Sequence, residues 1–192
     1  MIHGWESGAT MKGLIFTSFT EFVELNYGAE YLDRLLGSLE LSTCGAYTNV
    51  GTYPSQELID MLTFIHADKK ADVSALTEAF GVHTFRVLEL NYGGLLQNYN
   101  GAFECIYHVD QTIHKSVRKI HPDVELPKMN AELHDNGRQL TLEYRSSRPF
   151  MHFARGLLKG CANYFSEEIT IQMKDLSNGA GTHALFELRK DD

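Results

Sequence analysis

Hydrophobic residues recur at three- and four-residue steps through most of the first 120 positions, which predicts a series of amphipathic helices. The first helical pattern begins at about Met11, is interrupted by Gly28 and resumes as far as about Leu39. The segment 42–53 is rich in Ser, Thr, Gly and Asn, and this composition predicts a loop.

Cap and turn residues divide the next part of the helical region. Ser55 is predicted to be the N-cap of a helix that ends at about His66, because a serine hydroxyl can accept from the free amides of the first turn. Asp72 is predicted to cap the following helix. Gly81 is predicted to mark its junction with another helix, which ends before the glycine pair at 93–94.

The most regular helical pattern covers 102–120, where apolar residues fall on one stripe and Pro122 ends the helix. The hydrophobic period then changes from that of a helix to that of a strand. Segments 131–134 and 139–144 alternate apolar and polar residues on either side of Asp-Asn-Gly at 135–137, which predicts a β-hairpin.

A further helix is predicted from Pro149 to about Phe165, and a second strand pair over 168–173 and 183–189. The order is therefore helices first, then one long helix, then ββαββ. This order predicts an α+β fold in which a helical N-terminal subdomain packs on a C-terminal four-stranded antiparallel sheet with helices.

Composition and charge limit the possible functions. The chain has 192 residues, 43% of them hydrophobic, which is enough to bury a core as one domain or two packed subdomains. Its 17 Lys and Arg against 25 Asp and Glu leave a net charge of −8, and no basic cluster indicates a nucleic-acid interface.

No segment approaches the roughly 18 apolar residues of a membrane span. Residues 1–10, interpreted as an N-terminal extension that is native or left by cloning, lack the features of a signal peptide. We expect a cytoplasmic protein that binds neither nucleic acid nor membrane.

Motifs of common enzymes are missing from the sequence. It contains no glycine-rich nucleotide-binding loop, no zinc-protease motif and no serine-hydrolase motif. The three Cys are too far apart to form a CxxC pair, so neither a disulfide framework nor a Cys-rich zinc site is indicated. The nine His leave metal or haem chemistry open.

Two local features suggest chemistry. His114 lies within the most apolar helical pattern, where an imidazole is either a partly buried structural residue or a metal ligand. Tyr144, Ser146 and Arg148 alternate at the end of a predicted strand, so a phenol, a hydroxyl and a guanidinium are expected on one side of it. Such donors suit carboxylates, although an exposed turn with two arginines would have the same sequence.

Together these residues resemble the H-NOX family, the haem nitric oxide/oxygen binding domains. The resemblance rests on residues in matching order and spacing, namely His114, Pro122, Pro127, Tyr144, Ser146 and Arg148. The start MKGLIF at Met11 and the segment YFSEEI at Tyr164 are similar to the family as well, so the resemblance covers about 11–190.

The resemblance implies a role for each of these positions. His114 would be the proximal ligand of the iron of haem b, and Pro127 would press on the porphyrin. Tyr144, Ser146 and Arg148 would hold the two propionates, which need the charge and the donors that this triplet offers.

One position departs from the family pattern. Relatives commonly have Tyr-Pro where this chain has His121-Pro122. The proline keeps its spacing, and we interpret His121 and the nearby His108 as surface residues.

The resemblance also indicates the ligand. Oxygen-binding members have Tyr five residues after the motif arginine, where this chain has Phe153, and Phe19 stands where an oxygen binder can have Trp. Ile15, on the same predicted helix as Phe19, is expected to contact the cofactor too. Bound O₂ gains from a hydrogen-bond donor, whereas NO binds ferrous iron tightly without one. An apolar distal side therefore predicts NO as the ligand, with CO as a second one and no O₂.

The implied function is a non-enzymatic gas sensor with haem between a helical part, about 11–100, and a second part, about 101–190. Binding of NO would release His114 and shift these subdomains. The chain as given ends at Asp192, and we expect its output to come from a separate partner, a histidine kinase or a diguanylate cyclase/phosphodiesterase as in bacterial relatives. Two alternatives stay open here: a haem enzyme of the peroxidase or NO-consuming type, and a haem-free interaction domain.

Overall fold

The computed structural model describes residues 9–120, 122 and 124–190. The chain forms two compact units and passes from the first to the second between Val73 and Ser74. Most of the predicted N-terminal extension, 1–8, lies outside the described residues.

The first unit consists of short strands and helices: β1 (Thr10–Lys12), α1 (Gly13–Tyr27), α2 (Ala29–Gly37), β2 (Thr52–Pro54) and α3 (Ser55–Lys69). The predicted break at Gly28 is present, with φ of +90°, which glycine adopts without strain. β1 pairs with β2 in antiparallel fashion. The sequence did not predict this pair because strands of three residues are too short to show alternation. Since Thr10 belongs to β1, the folded part begins before Met11.

Ser55 is not the N-cap of α3, as the sequence predicted, but the first residue of that helix. Its hydroxyl and its amide both donate to the main-chain oxygen of Ala9, at 2.9 and 3.0 Å. The side chain therefore joins α3 to the residue before β1, and Pro54 occupies the cap position.

One buried carboxylate organises the loop 42–53. Glu57, in the first turn of α3, accepts from the hydroxyls of Ser42 at 2.6 Å and Thr43 at 2.7 Å and from the Tyr47 phenol at 2.8 Å. The Thr43 amide also donates to it, at 3.2 Å. Burial acts to raise the pKa of Glu57, but these hydrogen bonds outweigh burial and hold the pKa below its usual value.

The second unit is built from the remaining elements: α4 (Val73–Leu96), α5 (Ala102–Tyr107), a π-helical turn (Val109–His114), α6 (Lys115–Ile120), β3 (Lys128–His134), β4 (Gln139–Arg145), α7 (Met151–Tyr164), β5 (Ile169–Asp175) and β6 (His183–Lys190). The four strands form one antiparallel sheet in the order β3-β4-β6-β5. Both predicted strand pairs and the α+β class are thus confirmed.

Helix α4 runs unbroken through Gly81, where the sequence predicted a junction between two helices. Gly81 is required by packing instead, because a Cβ there would lie 2.3 Å from the main-chain oxygen of Phe153 on α7. Reciprocally, a Cβ on Gly156 of α7 would lie 2.1 Å from the main-chain oxygen of Glu78. The two helices therefore cross at facing glycines. All of α4 after Val73 belongs to the second unit.

The winding of α4 is interrupted near its C-terminal end, as the glycine pair at 93–94 predicts. Tyr92 lies outside helical φ/ψ (−131°, 17°), so one helix ends there and a short helical segment follows to Leu96. A Cβ on either glycine would meet no atom within 4 Å, so packing does not require glycine at these positions.

The predicted helix over 102–120 is divided by the π-helical turn. Among the residues of this stretch whose burial is described, the buried ones lie on α5, and none belongs to the π-helical turn. Packing therefore fixes α-helical winding at the start of the stretch but not in the middle. An apolar stripe cannot distinguish the two windings over six residues.

The core of the second unit lies between the sheet and helices α5 and α7. The buried side chains on the inner face alternate along each strand, as in Leu140, Leu142 and Tyr144 of β4 and Ala184, Phe186 and Leu188 of β6. The β3–β4 turn has positive φ at 135–137, as the Asp-Asn-Gly sequence predicts.

Candidate cofactor-binding site

His114 is the last residue of the π-helical turn, and its ring is mostly buried, with 12% of the side chain exposed. Its Nδ1 lies 3.1 Å from Oδ1 of Asp110, and Arg118 donates to the same oxygen at 3.3 Å. A carboxylate can only accept, so Nδ1 is the donor and Nε2 keeps its lone pair for a metal. Burial lowers the pKa of His114 below its ordinary value, while Asp110 opposes that shift. The imidazole is thus neutral near pH 7, as a metal ligand requires.

Tyr144, Ser146 and Arg148 form a cluster of donors where β4 ends. Tyr144 and Arg148 are buried, at 3% and 5% exposed, whereas Arg145 and Ser147 between them are exposed, as strand alternation predicts. The Arg148 amide donates to the Ser146 hydroxyl at 3.1 Å, and this bond holds the segment after the strand.

The electrostatics of this cluster favour an anionic partner. Burial lowers the pKa of Arg148 from its ordinary value, and the neighbouring Glu125 and Tyr144 act in the opposite direction. Burial raises the pKa of Tyr144, opposed by Ser146 and Arg148, so its phenol remains protonated and able to donate. A guanidinium, a phenol and a hydroxyl together are a donor set that fits carboxylates.

Pro127 lies next to this cluster, half-buried and directly before β3. The first residue of β3, Lys128, pairs with Arg145 of β4. Nη2 of Arg148 donates to the main-chain oxygen of Glu125 at 2.6 Å. The structure therefore brings the segment around Pro127 against the residues that follow β4.

The same sheet connects the cluster to the helical segment of His114. Ile113, beside His114, packs against the core that includes Tyr144 and Met129. Met129 of β3 is paired directly with Tyr144 of β4. Ile113, which is next to the candidate ligand His114, and Tyr144 of the candidate propionate cluster thus pack in the same hydrophobic core.

Phe153 lies on the first turn of α7 and is half-buried. Its ring centroid is 4.9 Å from that of Phe80 on α4 and 6.2 Å from that of Phe150. Thr84, one turn after Phe80, is fully buried. His152 lies close to the carboxylate of Asp175 and lowers its pKa, after the stronger effect of hydrogen bonds within that turn.

Ile15 and Phe19 lie on α1 in the first unit, and the six other predicted site residues lie in the second. Phe19 is fully buried, with its ring centroid 6.4 Å from that of Phe22, and Ile15 is half-buried.

The other candidate ligands have ordinary structural environments. His108 is partly exposed, in agreement with the surface position that the sequence predicted, and its ring stacks on Tyr99 with 6.1 Å between centroids. His121 lies outside the described residues. Cys105 and Cys161 are buried. Among the described residues, no three His, Cys, Asp or Glu side chains cluster as a metal ion would need, and no helix is long and apolar enough to cross a membrane.

Two neighbours of the site were missed in the sequence. Asp110 precedes His114 by four residues, a spacing that places both side chains on one helical face, so this contact could have been found. Glu125 carries no such signal, since its contact with Arg148 depends on the path of the chain between α6 and β3.

Known proteins that resemble this chain share one family. The family model described as Haem-NO-binding matches residues 12–173. The chain belongs to the Haem-NO-binding family. Members of this family, also called H-NOX proteins, bind haem and are gas sensors with ligands such as NO and CO.

Solved H-NOX structures have the same fold. The Fe(II) unliganded H-NOX protein from K. algicida is 34% identical, with a TM-score of 0.89, and the match covers 95% of this chain and 97% of that one. The H-NOX from Shewanella woodyi, solved with IWP-051 in the Fe(II)CO state, is 35% identical, with a TM-score of 0.79 and coverage of 94% and 95%. An H-NOX protein from S. oneidensis in the Fe(II)NO state shares the fold at 23% identity, with a TM-score of 0.87 and coverage of 95% and 100%. Curated protein sequences give no match.

Proposed function

We propose that this H-NOX chain senses nitric oxide at a ferrous haem b that His114 ligates, and that it signals to a separate protein. The observation that carries the proposal is the pairing of a mostly buried, neutral imidazole, oriented through Asp110, with the buried donors of Arg148 and Tyr144. Haem contains one iron that needs an axial ligand and two carboxylates that need hydrogen-bond donors. The imidazole of His114 suits the iron, and the donors of Arg148 and Tyr144 suit the carboxylates.

Each residue of the second unit has a defined task in this proposal. His114 offers Nε2 to the iron, and Asp110 fixes its tautomer and ring orientation through Nδ1. Arg148, Tyr144 and Ser146 bind and orient the propionates. Pro127, held beside this cluster, bears on the porphyrin. When bound, the haem supplies ferrous iron, which takes diatomic gases as axial ligands.

Ligand choice is proposed to follow from the aromatic surroundings of Phe153. This side chain packs against Phe80 and Phe150, and it has no group that can donate a hydrogen bond to a polar ligand. NO and CO bind ferrous haem without a donor, whereas O₂ gains from one, so we expect NO and CO to bind and O₂ not to. The 35% identical S. woodyi protein was solved with CO, which supports the expectation for CO. Ile15 and Phe19 are proposed to contribute further apolar contacts to the cofactor.

The output is proposed to begin at His114. This residue ends a π-helical turn, and such turns are frequent at functional sites because the winding there is less stable than in an α-helix. Release of the imidazole would let the segment change its winding and shift the two units, a two-state element biased by the ligand. The partner is proposed to be a histidine kinase or a diguanylate cyclase/phosphodiesterase in the cytoplasm.

The test compares His114→Ala with His108→Ala, a change of the same kind on the other side of the π-helical turn. The unchanged protein and His108→Ala are expected to be red, with a five-coordinate ferrous spectrum that changes on NO and forms no stable adduct in air. His114→Ala should lose that spectrum and regain it with added imidazole. An unchanged Soret band in His114→Ala without imidazole would refute the assignment.

The same preparation separates the two alternatives. Colourless protein after expression with ample haem would favour a haem-free interaction domain. Turnover of peroxide or NO by the red protein would favour a haem enzyme, which needs a distal acid/base pair that Phe153 cannot supply.

A further inference from the structure

Two hydrogen bonds attach Glu125 to the segment that carries the proposed propionate-binding residues. Its side-chain carboxylate accepts from the hydroxyl of Ser147, and its main-chain oxygen accepts from Arg148. Two consecutive residues after β4 thus hold one residue of the connector between α6 and β3.

These bonds extend the attachment between the two chain segments beyond the sheet. The β3–β4 ladder ends where Lys128 pairs with Arg145, and within the described residues no main-chain pairing continues past it. Glu125 precedes Lys128 by three residues, as Arg148 follows Arg145 by three. The hydrogen bond of the Glu125 side chain therefore holds the connector in place beyond the last residue pair of the β3–β4 ladder.

The charge of Glu125 matters to Arg148 as well. Burial disfavours the charged guanidinium, and the nearby carboxylate of Glu125 favours it. Glu125 itself is exposed, and its bond to Ser147 fixes the position of a carboxylate that would otherwise be free to rotate in water. The arrangement gives the buried guanidinium both a charge partner and a fixed direction.

We propose that Glu125 is a positioning residue for Arg148, which it holds in the geometry that binds the haem propionates. The inference rests on the proposed function, since it concerns the same cofactor. Because the connector begins where the helical segment of His114 ends, Glu125 also joins the ligand side of the site to the propionate side.

The test uses Glu125→Ala, Ser147→Ala and the double variant, with Glu132→Ala on β3 as the matched control. Glu132 is also an exposed glutamate of the same region. In the haem-free protein, amide hydrogen exchange of residues 124–126 should be about two- to tenfold faster in either single variant, the range expected for loss of one partly exposed hydrogen bond. In the haem-loaded protein, haem transfer to apomyoglobin should be faster by a similar factor, and the propionate bending bands in the resonance Raman spectrum should shift. Glu132→Ala should leave all three measurements unchanged.

The double variant decides whether the two residues act together. It should match Glu125→Ala alone, because that substitution already removes the bond that Ser147→Ala removes. Effects that multiply in the double variant, or unchanged exchange in both single variants, would overturn the inference. Faster exchange without faster haem loss or a Raman shift would also overturn it, since Glu125 would then hold only the connector. A wild-type protein that takes up no haem would instead refute the proposed function, while the exchange measurement would still test the attachment.

Discussion

The crossing of α4 and α7 predicts opposite effects for the same substitution at two sites in one helix. In Gly81→Ala, the new Cβ would lie 2.3 Å from the main-chain oxygen of Phe153, where real Cβ atoms keep at least 3.0 Å. Because the clashing atom belongs to the backbone, no side chain can turn away, and the helices must separate by about 0.7 Å. In Gly94→Ala, the Cβ would meet no atom within 4 Å.

The magnitudes follow from packing and helix propensity. Overpacking costs about 2–3 kcal/mol at a rigid contact, and Ala returns about 1 kcal/mol of helix propensity. Gly81→Ala should therefore lower the free energy of unfolding by about 1–2 kcal/mol, which is a fall in Tm of about 2–8 °C for a chain of this size. Gly94→Ala keeps only the gain in propensity, so its Tm should stay level or rise by up to about 4 °C.

Thermal unfolding of the haem-free proteins, followed by far-UV circular dichroism, measures both changes. Gly156→Ala is a second arm, and its clash with Glu78 should reproduce the loss seen in Gly81→Ala. A Gly81→Ala protein as stable as the wild type would refute the close crossing. An equal loss in Gly94→Ala would show that the helix tolerates no substitution, whatever the contact.

Three further outcomes test other parts of the molecule. Phe153→Tyr is expected to raise O₂ affinity, measured by gas titration, because the phenol supplies a donor to bound O₂; unchanged affinity would count against a distal position. Because the folded-state pKa of Glu57 is lowered, its carboxylate contributes stability that is present above the unfolded-state pKa and lost as pH falls through the folded-state pKa. Denaturant unfolding should accordingly show a flatter pH profile for Glu57→Gln than for wild type below about pH 5, and parallel profiles would contradict this. Iodoacetamide should alkylate exposed Cys44 in the folded protein and leave buried Cys105 and Cys161 unmodified until unfolding, as read by mass spectrometry.

Local sequence signals predicted the parts of the fold whose cause is local. The hairpin turn at 135–137 needs residues that tolerate positive φ, and Asp, Asn and Gly are residues of this kind. Alternation likewise predicted which residues of β4 face the core, and with them the shared side of Tyr144, Ser146 and Arg148.

The remaining features depend on contacts between distant segments. Gly81 and Gly156 are 75 positions apart, and nothing near either one indicates that they face each other, so Gly81 was interpreted as a helix junction. The role of Glu57 has no local signal either, because its donors lie in a loop whose path has no periodicity. The contact of His108 with Tyr99, in the segment before α5, likewise has no local signal.

In a π-helical turn, each main-chain hydrogen bond spans one more residue than in an α-helix. Successive residues of an α-helix are turned by about 100° around its axis. Rewinding the segment Val109–His114 as α-helix would therefore rotate α6 by about that angle relative to α5. The direction of the His114 imidazole is thus tied to the number of residues per turn and not only to its side-chain torsions. A change of winding can therefore rotate the His114 imidazole out of its original direction while each backbone amide stays hydrogen-bonded.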